Sequence, residues 1–414
     1  MLTALYSWLT KGLYYPLVPL VPARLKRIQN LPPGPFDIWF QAVSVGEVAV
    51  AEALVGALLQ MDPGLRVLVT STTLTGLDRA RKTLGHRVEV APYVFDFPQL
   101  VKAALERVAP RIFSPIETEL WPNMILEASG RGAHLLLVNA RISPFSFPRY
   151  RRLRPFMAEI LRRFSAFLAI SSVHARRLEA LGAHPGRIHI CGNAKFEGLS
   201  RRITSCDLGP WFDLLDLSLE RPVLVVGSLR QGEQDVLAQS LKALFEAVPS
   251  LFVLIAPRHL TWLEPLQQSL RGQGLDSQLL SELRSGVPRR ASVIVVDEIG
   301  HLFCLYGLAR VAFVGGSLIP KGGQNLLEPA AWGVPVLYGP YTSNFEEARG
   351  LLEDKGGGQV VRSSEDLTKT VLAVLSGSSG GPSGEKAREA AQEASGAATR
   401  QARLILEYLS ARRP

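Results

Sequence analysis

Short apolar runs rich in β-branched residues alternate with helix-patterned stretches from one end of the chain to the other. In the first half this pattern predicts strands over residues 38–43, 66–71, 88–92, 111–116, 134–138, 167–170 and 187–190. In the second half it predicts them over 222–226, 251–255, 292–296, 311–314, 335–338 and 359–361. Runs such as Leu136-Leu137-Val138 and Val223-Leu224-Val225-Val226 lack polar alternation, which marks strands covered by helices on both faces. A βαβα rhythm needs right-handed crossovers and gives doubly wound parallel sheets. Residues 206–220 carry Gly209-Pro210 and no strand pattern, so a linker is expected there, between α/β domains at 31–205 and 221–384. A polar helix over 385–414 closes the chain.

The N-terminus breaks the rhythm. Residues 2–21 are apolar and aromatic, but Lys11 interrupts them, Pro16 and Pro19 punctuate them, and Arg24, Lys26 and Arg27 follow. A spanning helix wants about 20 unbroken apolar residues, and a secretory signal wants basic residues first. The expectation is a membrane anchor over residues 1–30, crossing or lying in the bilayer with its basic end cytoplasmic. A buried helix packed on its own domain is the alternative.

Composition narrows the function. Of 414 residues, 47% are apolar and 20% charged, enough to bury sizeable cores, and a formal charge of +9 favours acidic partners. Cys191, Cys206 and Cys304 form no CxxC pair, so a disulfide framework is not expected and the thiols should stay reduced. His184, His189 and Cys191 make the nearest approach to a metal cluster, and no metal site is expected.

Ligands of open α/β sheets bind beyond the carboxyl ends of the strands, and polar residues gather there. Ser44-Val45-Gly46-Glu47 follows the first strand; Glu47 is either the second half of a capping box or a base facing the ligand. Glu117 and Glu119 precede Pro122 and either complement a helix dipole or act on substrate. Residues 141–163 hold seven arginines, with Phe145, Phe147, Tyr150 and Phe156 interleaved. No nucleic-acid motif accompanies that patch, so phosphorylated lipid is the preferred partner over a merely solvated face. In the second half, Gly315-Gly316 and Gly322-Gly323 flank Lys321 ahead of Asn325-Leu326-Leu327-Glu328. Such a loop forms either a phosphate site from main-chain amides or a structural turn. Arg258 offers a bidentate partner for an anion.

Taken in order, Ala42-Val43-Ser44-Val45-Gly46-Glu47, Glu117-Thr118-Glu119-Leu120-Trp121-Pro122-Asn123, Asn139-Ala140-Arg141-Ile142-Ser143, Ala256-Pro257-Arg258-His259 and the stretch 315–329 resemble the Kdo transferases of lipopolysaccharide biosynthesis. The resemblance implies a GT-B type α/β fold, two Rossmann-like domains facing a central cleft, the first taking the acceptor and the second the nucleotide sugar. It implies an inverting glycosyltransferase that moves 3-deoxy-D-manno-octulosonic acid (Kdo) from CMP-Kdo to the lipid A precursor (lipid IVA) at the cytoplasmic side of the bacterial inner membrane. Glu47 falls on the general base, and Glu117 and Lys195 on transition-state stabilisation. Pro257, Arg258, Ile299, Gly300, His301, Gly322, Gly323, Asn325, Leu326, Leu327 and Glu328 fall on the donor site. Arg141, Arg149, Arg151 and Arg152 are assigned to the acceptor from their position and charge. No metal, no further cofactor and no nucleic-acid partner is implied. The chain departs from the pattern at Gln41 and Arg230, where His is usual, at His301, where an acid is frequent, and at Leu326, where Pro is usual.

Overall fold

The computed structural model describes residues 2–23, 26, 28–378 and 380–411. The chain forms two compact units, Met1–Glu197 with Ser395–Pro414, and Gly198–Ala394. The closing segment is therefore shared. Helix Gly384–Ala394 lies in the second unit and helix Ala397–Ser410 in the first, with Gly396 at a φ of +79° between them. The stretch expected as a linker carries helix Gly209–Leu214, whose Trp211 and the following Leu215 pack into the second unit's core.

The first unit holds strands β1 (Phe36–Ala42), β2 (Val67–Ser71), β3 (Glu89–Pro92), β4 (Pro110–Pro115), β5 (His134–Ala140), β6 (Ala166–Ala169) and β7 (Ile188–Ile190). They form a parallel sheet in the order β3-β2-β1-β4-β5-β6-β7. Alternation sends Trp39 into one core and Ile38, Phe40 and Ala42 into the other, so both faces are buried. Helix Val45–Met61 is apolar nearly all round because it is buried twice, against the sheet and under Ala398, Ala402, Ile405 and Leu409 of the last helix.

The second unit repeats the plan with β8 (Val223–Leu229), β9 (Phe252–Pro257), β10 (Ser277–Leu279), β11 (Val293–Val295), β12 (Val311–Val314), β13 (Val336–Tyr338) and β14 (Gly358–Val360). The parallel order is β10-β11-β9-β8-β12-β13-β14. Hydrophobic patterning gave no sign of the edge strand β10. Its central residue is Gln278, buried, with its carboxamide donating to Pro288 O and accepting from Arg290 N. A polar side chain satisfied by main chain leaves no apolar signature.

Two expectations are corrected. Cys206 and Cys304, 98 residues apart, are joined in a disulfide with a Cα–Cα separation of 5.6 Å; Cys191 stays free and buried. Spacing along the chain carried no information about that distance. The membrane anchor expected over residues 1–30 is not a spanning element. Its first helix, Leu2–Gly12, is 11 residues long, and no described helix is long and apolar enough to cross a membrane. Arg24 and Arg27 lie outside the described residues.

That helix docks on the first unit by its polar side. Thr3, Tyr6, Ser7 and Thr10 share one face at helical spacing. They bond Glu159, the buried Asp96 and Asn123. Burial pushes Asp96 up to about 7, against the pull of donors on Asn123 and Met124 N. Trp8 is left 70% exposed and Leu20 79% exposed, with Leu5, Leu9 and Leu13 also turned outward.

Candidate active site

At the end of β1 the chain turns into helix Val45–Met61 through an N-cap at Ser44. The Ser44 hydroxyl accepts from Glu47 N at 3.4 Å and donates to Glu47 Oε1 at 3.0 Å. Val43 N donates to Glu47 Oε2 at 2.6 Å, one residue earlier than a standard capping box would reach. Glu47 is 9% exposed. Burial pushes its carboxyl up to about 7, helped by the negative charges of Glu119 and Glu117 and opposed by the Val43 amide and Ser44. Cap and titrating group are one side chain.

The ends of β4 and β5 adjoin it. Glu117 and Asn139 both take left-handed backbone, at φ +60° and +48°, which is uncommon outside glycine and marks over-determined sites. Glu117 N donates to Val138 O at 3.0 Å, tying the two bends together. Lys195, in the turn after β7, places Nζ 2.5 Å from Glu117 Oε1. The same ammonium lies over Gly46, where an added Cβ would meet it at 3.6 Å. Of the residues singled out in this half, Glu47, Glu117 and Lys195 thus come together at one sheet edge. Glu119 sits beside them, raised by burial and by Glu117, and accepts from Trp121 Nε1.

Arg141 follows β5 and is half-buried, with its amide directed at Glu117 O. Arg149, Arg151 and Arg152 lie exposed on helix Phe147–Arg152, with the Arg149 guanidinium 4.4 Å from the centre of the Phe145 ring. Gln41, standing where the resembled pattern has His, is fully buried, with no hydrogen-bond partner for its carboxamide among the described residues.

In the second unit the expected donor residues lie past β9, β11 and β12. Arg258 leaves the end of β9 exposed to solvent, its amide bonded to Leu229 O at 2.8 Å. Ile299 and Gly300 are exposed; His301 Nε2 meets Glu298 at 2.9 Å. The carboxylate missing at 301 is therefore present three residues earlier. The side chains of Leu326 and Leu327 are fully buried, so only their main chain faces any ligand. Glu328 Oε1 pairs with Arg202 at 3.1 Å, which engages a carboxylate expected at the donor site.

The glycine loop is already partly filled. Glu233, fully buried, accepts from the amides of Gly316 (2.7 Å), Ser317 (3.0 Å), Leu318 (2.8 Å) and Arg230 (2.9 Å). An internal carboxylate occupies that nest in place of a phosphate. Glu233 lies 83 residues before Gly316 in the chain, so nothing local in the sequence tied it to that loop. Gly322 and Gly323 lie outside the nest, both left-handed, and a side chain at Gly322 would run into Asn344. A pocket of about 440 Å³ opens beside them, lined by Gly322, Tyr341, Thr342 and Arg349 among others.

The family model for 3-Deoxy-D-manno-octulosonic-acid transferase (kdotransferase) matches residues 20–198. The 3-deoxy-D-manno-octulosonic acid transferase of Haemophilus influenzae is 32% identical over 350 residues, 83% of this chain and 80% of its own length. That of Bordetella pertussis is 33% identical over 338 residues, 79% of this chain and 77% of its own. Among solved structures, a UDP-GlcNAc 2-epimerase from Neisseria meningitidis aligns over 90% of this chain and 99% of its own with a TM-score of 0.61. Its 14% identity makes this a likeness of fold.

Proposed function

The chain belongs to the 3-deoxy-D-manno-octulosonic acid transferase family, and from that premise we propose which of its residues carry the reaction. It is a glycosyltransferase that moves Kdo from CMP-Kdo to a lipid A precursor. The observation that carries the assignment is the grouping of Glu47, Glu117 and Lys195 at the edge of the first sheet.

Glu47 is the general base. A carboxylate held near neutrality is matched to take a proton from a sugar hydroxyl at working pH, where an ordinary one is too weak. As the hydroxyl oxygen bonds to the anomeric carbon of Kdo, the bond from that carbon to the phosphate oxygen breaks and CMP leaves with the electron pair. Attack from the side opposite the leaving group inverts the centre. Lys195, fixed by Glu117, offsets negative charge at the reacting centre. Arg258 and the main chain around Gly322, Gly323 and Asn325 hold the nucleotide, with Pro257, Ile299, Gly300, His301 and Glu328 at its margin. Arg141, Arg149, Arg151 and Arg152 receive the phosphorylated lipid, lipid IVA.

The protein works at the cytoplasmic face of the bacterial inner membrane, where such an acceptor resides. The outward apolar residues of the first helix and of the segment after it support a peripheral contact with lipid, since Trp8 and Leu20 are left largely exposed. Incubating the purified protein with CMP-Kdo and lipid A precursor, then weighing the lipid by mass spectrometry, tests the whole reading. A lipid that gains no Kdo mass, with CMP-Kdo intact, would sink it.

A further inference from the structure

The last helix buries Ala397, Ala398, Gln401, Ala402, Ile405 and Leu409. Five of these are apolar, as a helix packed on a core requires. Gln401 is the exception, a carboxamide with 0% exposure in the middle of the apolar face. A buried amide costs free energy unless every group finds a partner. Gln401 finds two, and both are main-chain groups at bends. Its Oε1 accepts from Asn139 N at 2.8 Å and its Nε2 donates to Gly192 O at 3.1 Å. An N–H can only donate and a C=O only accept, so these partners also fix which way the amide points.

Both bends are left-handed, Asn139 at φ +48° where the pairing of β5 with β6 shifts register, and Gly192 at +84° just past β7. The network continues toward the reaction site. Asn139 Oδ1 accepts from Ala194 N at 2.9 Å, and Asn139 Nδ2 donates to Asn193 Oδ1 at 3.2 Å. Asn193 Oδ1 in turn accepts from Lys195 N at 3.1 Å. Arg400, next to Gln401, donates from Nε to Cys191 O at 2.9 Å. The turn that carries Lys195 is thus held from behind by a helix that returns from the far end of the chain.

We propose that Gln401 is a positioning residue for the transfer: through Asn139 and Gly192 it sets the turn that aims Lys195 at Glu117 and the start of the Glu47 helix. The inference rests on the role given to Lys195 above. Gln401 touches no substrate itself. Losing its two bonds loosens the strained bend at Asn139 and the freely mobile one at Gly192, and a displacement on the order of 1 Å in a charged group costs up to about a hundredfold in rate.

The test uses the full-length enzyme in a double-mutant cycle of Gln401→Met and Lys195→Met, with thermal melts to verify folding. Methionine suits the apolar face and removes both bonds. Gln401→Glu keeps an acceptor for Asn139 N and replaces the amide donor to Gly192 O with a carboxyl that donates there only when protonated. Gln401→Met is expected to lower kcat about tenfold to a hundredfold with KM for CMP-Kdo unchanged, and Gln401→Glu to fall between it and wild type. In the Lys195→Met background, Gln401→Met should cost nothing further. Equal losses in both backgrounds, or a wild-type kcat for Gln401→Met alone, overturn the positioning role while leaving Lys195 in place. A wild-type kcat for Lys195→Met alone overturns the role of Lys195 and the route through Gln401 with it. Should the Met variant fail to fold, the Glu variant in the same cycle decides by the same criteria.

Discussion

The Ser44 hydroxyl and the Glu47 carboxylate hold each other, Oγ to Oε1 at 3.0 Å, while Oε2 takes the Val43 amide at 2.6 Å. A capping box and a general base are usually rival accounts of one glutamate. Here the cap restricts the carboxylate to a single orientation, and burial with two like charges raises its proton affinity. The helix start therefore holds and tunes the group proposed as the base.

Glu47→Gln should keep the cap, because an amide still accepts from Val43 N, and should remove the base. Transfer is expected to fall by about 10²–10⁴-fold while CMP binding by calorimetry stays at the wild-type value. Near wild-type turnover would reduce Glu47 to a cap.

The same residue gives two opposite pH effects. Activity should decline as pH falls through about 7, where Glu47 gains its proton. Stability runs the other way. A carboxyl whose folded pKa is raised above its value of 4.5 binds more protons folded than unfolded, so its ionisation destabilises the fold progressively between those limits. Glu47→Gln should melt higher than wild type at pH 8, with the gap closing toward pH 4.5. Melts that differ by the same amount at both ends would contradict the raised pKa.

Glu233→Ala should release the loop that follows β12. Four amides lose a charged acceptor, each such bond worth about 1.5–3 kcal/mol, so a lowered melting temperature and weaker CMP binding are expected together. If stability falls with CMP affinity intact, the loop is only structural.

Arg258→Ala should weaken the donor about tenfold to over a hundredfold, the loss of one charge-assisted bond, and leave the lipid's apparent constant alone. Arg151→Glu should do the reverse. Calorimetry with CMP and kinetics with varied lipid measure the two. Equal effects on both ligands would defeat the division of donor and acceptor between the units.

Replacing Leu5 and Trp8 with serine should reduce cosedimentation with anionic lipid vesicles without lowering the melting temperature, because neither side chain is buried. Vesicle binding that survives the double change would move the lipid contact to the arginines of residues 149–152.

The sequence by itself determined the two parallel sheets, since runs such as 223–226 are apolar on both faces and admit little else. It also placed Glu47, Glu117 and Lys195 at one edge, because each follows a strand by a few residues and a parallel sheet delivers all its carboxyl ends to one side. What it could not carry was anything set by distance between remote segments. The pairing of Cys206 with Cys304, the filling of the glycine loop by Glu233 and the grip of Gln401 on Asn139 join residues 98, 83 and 262 positions apart. The first helix adds a case of direction: its composition gave an apolar segment, but which face met the protein depended on Asp96, Asn123 and Glu159 waiting on other elements. Periodicity reports how a segment divides into faces, and only packing decides what each face meets.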